Sequence, residues 1–340
     1  MKTIRTIILT LLLSVQLLAC SERERDWDDG VEAFGRGDYA EALSKWRPLA
    51  EQGAASAQYG LGMLYASGRG VQRDDKEAVK WYRKAAEQGN ELAQLNLGLT
   101  YFKGWGVPKD YKEALKWFSK AAEQGSDEAQ YKLAAMYAQG QGVTQNDKEA
   151  SKWYQEAAEQ GHMLAQNDLG LMYAEGRGVP KDYKEAVKWY RKAAEQGDAR
   201  AQFYLGTMHE QGHGVPQDYK EAVKWYRSAA EQGIAMAQYN LGQLYRMGLG
   251  IPQDYKEALK WYRSAAEQGN AMAQNNLGIM YWDGLVVPQD YVQAHKWFNI
   301  AGTNGNEMGT NNSDMIAKSM TPTQLEKAQK LAREWMEKHP

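Results

Sequence analysis

Two histidines in this chain stand at a spacing that metal chemistry uses. His209-Glu210-Gln211-Gly212-His213 fits the pattern in which imidazoles one helical turn apart hold zinc while the glutamate between them activates water. That geometry needs an unbroken helix, and Gly212 is a helix-stopping residue inside a glycine-rich stretch. His209 also falls in a column held by Tyr101, Tyr137 and Tyr173 at 36-residue intervals. It therefore reads as a variant of a repeated packing position, and no metal is expected.

Other chemical signals dissolve in the same way. Seven glycine-rich loops invite a phosphate cradle, but each follows a helical pattern and none ends in the Gly-Lys-Ser or Gly-Lys-Thr of a nucleotide-binding loop. The carboxylate pairs Asp28-Asp29 and Asp74-Asp75 stand where helices begin, as caps and dipole partners. With no recurring Ser-His-Asp set, the chain is expected to be no enzyme and to need no cofactor. Formal charge is -2, and losing Lys2 and Arg5 with a leader makes it -4, so no basic field points to nucleic acid.

Cys20 is the one cysteine in the chain. Before it, Met1–Arg5 carries two positive charges and Ile7–Ala19 is a largely apolar stretch of thirteen residues, too short to span a bilayer as a helix. A basic start, a short apolar segment and a small residue before the cut describe a secretory signal. Leu17-Leu18-Ala19-Cys20 resembles the bacterial lipobox, which implies cleavage before Cys20, lipid on its sulfur and an acylated new N-terminus. Several acyl chains hold a protein to a bilayer where one does not. By the sorting habit of such lipoproteins, Ser21 implies the outer membrane of a Gram-negative envelope, facing periplasm or cell surface.

What must position all these residues is a repeat. Ala-Glu-Gln-Gly ends at Gly53, Gly89, Gly125, Gly161, Gly197, Gly233 and Gly269, always 36 apart, and Gly305 closes a worn copy. Eight residues before each later closing glycine stands a tryptophan: Trp81, Trp117, Trp153, Trp189, Trp225, Trp261 and Trp297. Such periodicity marks a solenoid. Within residues 90–125, Asn90 caps a first helix with Ala93, Leu97, Gly98 and Tyr101 at helical spacing, and Gly104-Trp105-Gly106-Val107-Pro108 ends it. Asp110 and Glu113 suggest a capping box for a second helix, whose stripe of Tyr111, Ala114, Trp117, Phe118 and Ala121 runs to Gly125. Each copy is a helical hairpin with small residues, Gly98 and Ala114, at the helix contact and large ones, Tyr101 and Trp117, between copies.

Ala-x-x-x-Leu-Gly-x-x-Tyr, Gly-x-Gly-Val-Pro-x-Asp-Tyr, Glu-Ala-x-Lys-Trp-Tyr and Ala-Ala-Glu-Gln-Gly together resemble Sel1-like repeats, relatives of tetratricopeptide repeats. The resemblance implies an all-α fold, a right-handed α-solenoid of helical hairpins. The reading divides the chain into a lipoprotein signal peptide (1–19), a lipidated tether (20–26), a tetratricopeptide-like opening unit (27–53), seven repeats of 36 residues (54–305) and a degenerate segment with a capping helix (306–340). Pro48 interrupts the helical pattern of the opening unit. Thr321-Pro322-Thr323-Gln324 reads as a capped helix start, and Leu325, Ala328, Leu331 and Trp335 as its apolar stripe.

Family members act mainly as adaptors, so the resemblance implies a membrane-anchored scaffold of the cell envelope that holds an envelope or host protein, or a peptide, in a concave groove. In tetratricopeptide repeats that groove is lined by first-helix positions outside the packing columns. Carried over, these are Tyr59, Leu95, Phe102, Tyr131, Phe203, Tyr239 and Trp282, with Arg200 and Arg246 as charged anchors; Tyr, Trp and Arg favour binding hot spots. The alternative is a cell-wall-active protein, since disulfide-rich relatives have been linked to penicillin binding or weak β-lactamase activity. This chain lacks their cysteine pairs.

Overall fold

A computed structural model describes residues 25–339, all of whose regular structure is helical, with no strand among the described residues. Cys20 and the leader that precedes it lie outside those residues. The chain divides into two compact units, Met1–His162 and Met163–Pro340. In the first, α1 (residues 25–36) and α2 (Tyr39–Glu51) open the array. Three hairpins follow: α3 (Ala55–Ser67) with α4 (Asp75–Glu87), α5 (Glu91–Lys103) with α6 (Tyr111–Glu123), and α7 (Asp127–Gln139) with α8 (Asp147–Glu159).

The second unit holds four hairpins: α9 (Met163–Glu175) with α10 (Tyr183–Glu195), α11 (Ala199–Gln211) with α12 (Tyr219–Glu231), α13 (Ala235–Met247) with α14 (Tyr255–Glu267), and α15 (Ala271–Asp283) with α16 (Tyr291–Thr303). Two last helices, α17 (Glu307–Ala317) and α18 (Pro322–Lys338), complete it.

The hairpin geometry follows from its ends. The first helix α5 begins at Asn90, whose side chain accepts from Ala93 N–H, and stops at Gly104, left-handed at φ 79°. The second helix α6 begins at Asp110, whose carboxylate accepts from both Lys112 N–H (2.9 Å) and Glu113 N–H (3.1 Å). This corrects the expected capping box at one point. Because Asp110 serves both donors, Glu113 turns along the helix, where it accepts from the Trp117 indole at 3.1 Å and pairs with Lys116.

Gly98 explains why the two helices touch. A Cβ there would lie 2.7 Å from the ring of Phe118, so the small residue makes room for an aromatic of the facing helix. Trp117 is buried with Ala78, Val79 and Tyr82 of the preceding hairpin, and Tyr101 packs with the same cluster while accepting a hydrogen bond from Arg83. Large residues thus join successive copies, as the spacing suggests.

Pro48 does not break its helix. It sits inside α2, its carbonyl accepting from Gln52 N–H at 3.1 Å, because the neighbouring Trp46, Leu49 and Ala50 are all buried and hold the segment helical. At the other end α18 carries a complete capping box between Thr321 and Gln324. Its Ala328 and Ala332 are buried, and Trp335 meets Trp297 edge-on with centroids 5.7 Å apart. The helix covers apolar surface that the last repeat would otherwise leave open.

Candidate functional site

The residues expected to recognise a partner all stand on first helices. In the first unit these are Tyr59 on α3, Leu95 and Phe102 on α5, and Tyr131 on α7. In the second they are Arg200 and Phe203 on α11, Tyr239 and Arg246 on α13, and Trp282 on α15. Arg200 and Arg246 are exposed and the others half-buried.

Half-burial of the aromatic candidates has one cause, repeated in five of the seven hairpins. Tyr59 lies against Tyr82 with centroids 6.0 Å apart, Tyr131 against Tyr154 at 5.8 Å, Phe203 against Tyr226 at 5.9 Å, Tyr239 against Tyr262 at 6.1 Å and Trp282 against Phe298 at 5.9 Å. The second-helix rings are buried. One side of each candidate aromatic therefore finishes the hairpin core, and only what remains is open to a partner.

Two hollows mark this face in the first unit. The larger, about 230 Å3, is walled by Trp27, Phe34, Trp46, Tyr59, Met63 and Leu92. Trp27 stacks on Trp46 at 5.3 Å, and Val31 and Leu92 are exposed at its rim. The second, about 210 Å3, lies between Phe102 and Tyr131, with Leu99, Lys103 and Lys132 beside them. Tyr131 also stacks on His162 at 4.6 Å, and His162 Nε2 is 3.1 Å from Glu128. That hydrogen bond, aided by Lys132 at 2.8 Å, holds the Glu128 carboxyl down to about 2.

The corresponding face of the second unit is crossed by side-chain hydrogen bonds. The Tyr226 hydroxyl donates to Glu210 at 2.6 Å, and the Tyr262 hydroxyl donates to Gln243 Oε1 at 2.5 Å. Gln243 Oε1 also accepts from Arg246 Nε at 3.1 Å, while its amide donates to the Tyr239 hydroxyl at 3.0 Å. Burial pushes the Tyr262 phenol up to about 12, so its hydroxyl keeps its proton and remains a donor in this network. Gln243 falls by spacing on the same first-helix stripe as Met236, Tyr239 and Arg246. Its role as a centre is not legible there, since its partners come from α13, α14 and, through Asn276 at 3.4 Å, α15.

The signals that looked catalytic separate in space. Helix α11 ends at Gln211 and Gly212 is left-handed at φ 70°, which carries His213 off the helix to stack on Tyr183 at 4.5 Å. His209 stays buried, and neither of its ring nitrogens has a hydrogen-bond partner. Among the described residues no group of three or more His, Cys, Asp or Glu is arranged to hold a metal. Asp74 caps α4, Asp75 pairs with Arg73 and Asp29 pairs with Lys45.

Comparison with known proteins agrees with this architecture. The family model of the Sel1 repeat matches residues 55–90, 92–126, 127–162, 164–198, 199–234, 235–270 and 271–306. Among solved structures, a Sel1 repeat protein from Oxalobacter formigenes is 37% identical, with TM-score 0.65, over 88% of this chain and 91% of that one. A protective antigen, c5321, of uropathogenic Escherichia coli strains is 34% identical, with TM-score 0.49, over 94% of this chain and 85% of that one. A comparison with curated protein sequences gave no match.

Proposed function

The chain belongs to the Sel1 repeat family, and from that premise we propose that it gathers a protein or peptide partner on its first-helix face while lipid on Cys20 ties it to a bacterial membrane. Sel1 repeats are in general a non-enzymatic scaffold that mediates protein–protein interactions. The membrane of this reading is the outer membrane, with the repeats facing periplasm or cell surface. Binding and local concentration are then the whole mechanism.

The observation that carries the reading is a division of labour between columns. Packing positions repeat from copy to copy: the alanines at 57, 93, 129, 165, 201, 237 and 273 are all buried. The positions beside them change chemistry, from Leu92 and Leu95 in one copy to Arg200 and Phe203 in another and Met236 and Tyr239 in a third. Change of chemistry along the half-open face, beside an unchanged alanine column, is what a recognition surface requires. Exposed Leu92 and Met236 supply apolar contact, and Arg200 and Arg246 supply charge.

Photo-crosslinking side chains placed at Leu92, Met236 and Arg246 test the groove against controls at Lys188 and Glu195 on a second helix. The reading expects a discrete captured species from the first set alone; equal capture from both sets would defeat it. Cys20→Ser tests the anchor separately. The variant should lose labelling by a fatty-acid probe and leave the membrane fraction.

A further inference from the structure

One hollow lies at the C-terminal edge of the first helices, lined by none of the residues of the two hollows described above. It measures about 270 Å3 and is lined by Ala66, Arg73, Asp75, Ala78, Thr100 and Trp105, where α3, α4, α5 and the turn after α5 meet. It exists because three register positions are smaller here than in the next hairpin: Ala66 and Asp75 recur as Ala138 and Asp147, but Thr100 alone replaces the leucine or methionine of every other copy. One hairpin further on, those positions hold Phe102, Tyr111 and Met136, which share one packed cluster, the two rings 5.2 Å apart. Here they hold Ala66, Asp75 and Thr100. Two rings and a thioether are missing from space that the neighbouring hairpin fills with its own side chains.

What remains is unfinished packing with a ring left over. Trp105 is 51% exposed, the only Trp, Tyr or Phe among the described residues that is so open. Arg73 and Asp75 satisfy one another, Nε to Oδ1 at 2.9 Å and Nη2 to Oδ2 at 3.0 Å, so the wall offers no net charge inward. Across the same turn, Gly106 and Val107 border a cleft of about 480 Å3 that carries Lys76, Lys80, Arg83 and Lys84 against Glu77 and Glu87. Lys80 already pairs with Glu77 at 2.6 Å, and the surplus along the cleft is positive.

We propose that this corner of the first unit is a second docking site, for a peptide of a protein partner in which an aromatic side chain is flanked by carboxylates. The aromatic ring enters the hollow and packs on Trp105, replacing the ring that Tyr111 supplies one copy later. Its acidic neighbours lie along the Lys76–Lys84 cleft, where the surplus of cations attracts them and fixes the direction of the peptide. The site adjoins the first-helix face at Ala66 and Thr100 but shares no lining residue with the two hollows of that face.

The test is a titration of the full chain in detergent with a fluorescein-labelled peptide, Glu-Asp-Phe-Asp-Glu, read by anisotropy. Binding should weaken by about tenfold or more when alanine replaces the peptide's phenylalanine, and again with Lys80→Glu and Lys84→Glu. The decisive variant combines Asp75→Tyr with Thr100→Met, filling the hollow from within with the side chains used one hairpin on. It should keep or raise the thermal midpoint and lose the peptide by about tenfold. No binding to the unaltered chain at millimolar peptide, equal binding of the alanine peptide, or undiminished binding by the filled variant would each overturn the proposal. Crosslinking at Leu92 should be the same in the filled variant, which keeps this site separable from the groove.

Discussion

The side-chain amide of Gln88 donates to the side-chain oxygen of Gln58 across 2.7 Å, and the amide of Gln58 donates in turn to the Ala50 carbonyl at 3.1 Å. Gln58 is buried, and it joins its own hairpin to the end of the preceding helix. Helix C-termini leave carbonyls without intrahelical partners, and this rung supplies one. It recurs as Gln124–Gln94–Ala86 and Gln160–Gln130–Ala122 in the first unit, and as Gln232–Gln202–Ala194 and Gln268–Gln238–Ala230 in the second.

Gln94→Leu should therefore destabilise the chain although its side chain is of similar size. The change leaves the exposed Gln124 amide to solvent and takes one donor from the Ala86 carbonyl, which keeps Gly89 N–H at 3.1 Å, a cost of about 0.5–1.5 kcal/mol for each hydrogen bond lost. Denaturant unfolding of Gln94→Leu, Gln124→Leu and the double variant checks it. Strict additivity would mean that the two amides do not act together.

Gly206→Ala places a Cβ 2.7 Å from the ring of fully buried Tyr226. The ring cannot yield, because its hydroxyl is held by Glu210, so the expected cost is about 1–3 kcal/mol. At Gly35, in α1, an added methyl would meet nothing within 4 Å, and Gly35→Ala should be neutral or slightly stabilising. Thermal melts of the two variants should move in opposite directions or by clearly different amounts.

Acid should weaken the second unit first. Burial, and then the Arg191 guanidinium, hold the His209 imidazole below its ordinary range, with Lys224 acting the same way and Glu221 and Asp218 opposing. Burial does the same to His295. The unfolded chain takes up protons below about pH 6.5 that the folded chain refuses, so this stability is intact above that pH and lost as pH falls. Elsewhere in this column Arg227 donates to the Tyr245 hydroxyl at 2.7 Å and Arg263 to that of Tyr281 at 2.9 Å. His209→Tyr offers Arg191 the same acceptor, and should raise the melting midpoint at pH 5.5 by about 2–4 °C, with a smaller gain at pH 8. Equal gains at both pH values would remove the imidazole from the explanation.

Much of the fold was legible because hairpins announce their own ends. Asn90, Gly104, Asp110 and Gly125 act through local backbone geometry, which spacing along the chain reveals directly. The candidate face was legible as a set of positions, but not as a surface: Tyr59 or Tyr239 read alone gives no sign that half its ring belongs to Tyr82 or Tyr262. The glutamine rungs escaped for a related reason. Gln94 is polar and sits in an apolar pattern, while its carbonyl partner is on the preceding helix and its amide partner lies at the end of the following one. Trp105 stands in a loop column otherwise held by Arg69, Gln141, Arg177, His213, Leu249 and Leu285, and only the hollow formed with Thr100 and Asp75 gives that tryptophan a setting.

The rungs also impose a rule of length. Gln94 reaches a carbonyl eight residues back and Gln124 reaches Gln94 across thirty, distances that refer only to adjacent helices. A cut that removed residues 90–125 would bring Gln130 to Ala86 in the place of Ala122, with every donor still facing an acceptor. Any splice that is not a whole module would slide amides past carbonyls along the seam. The array is in this sense quantised, able to grow or shorten in steps of thirty-six residues and in no finer increment.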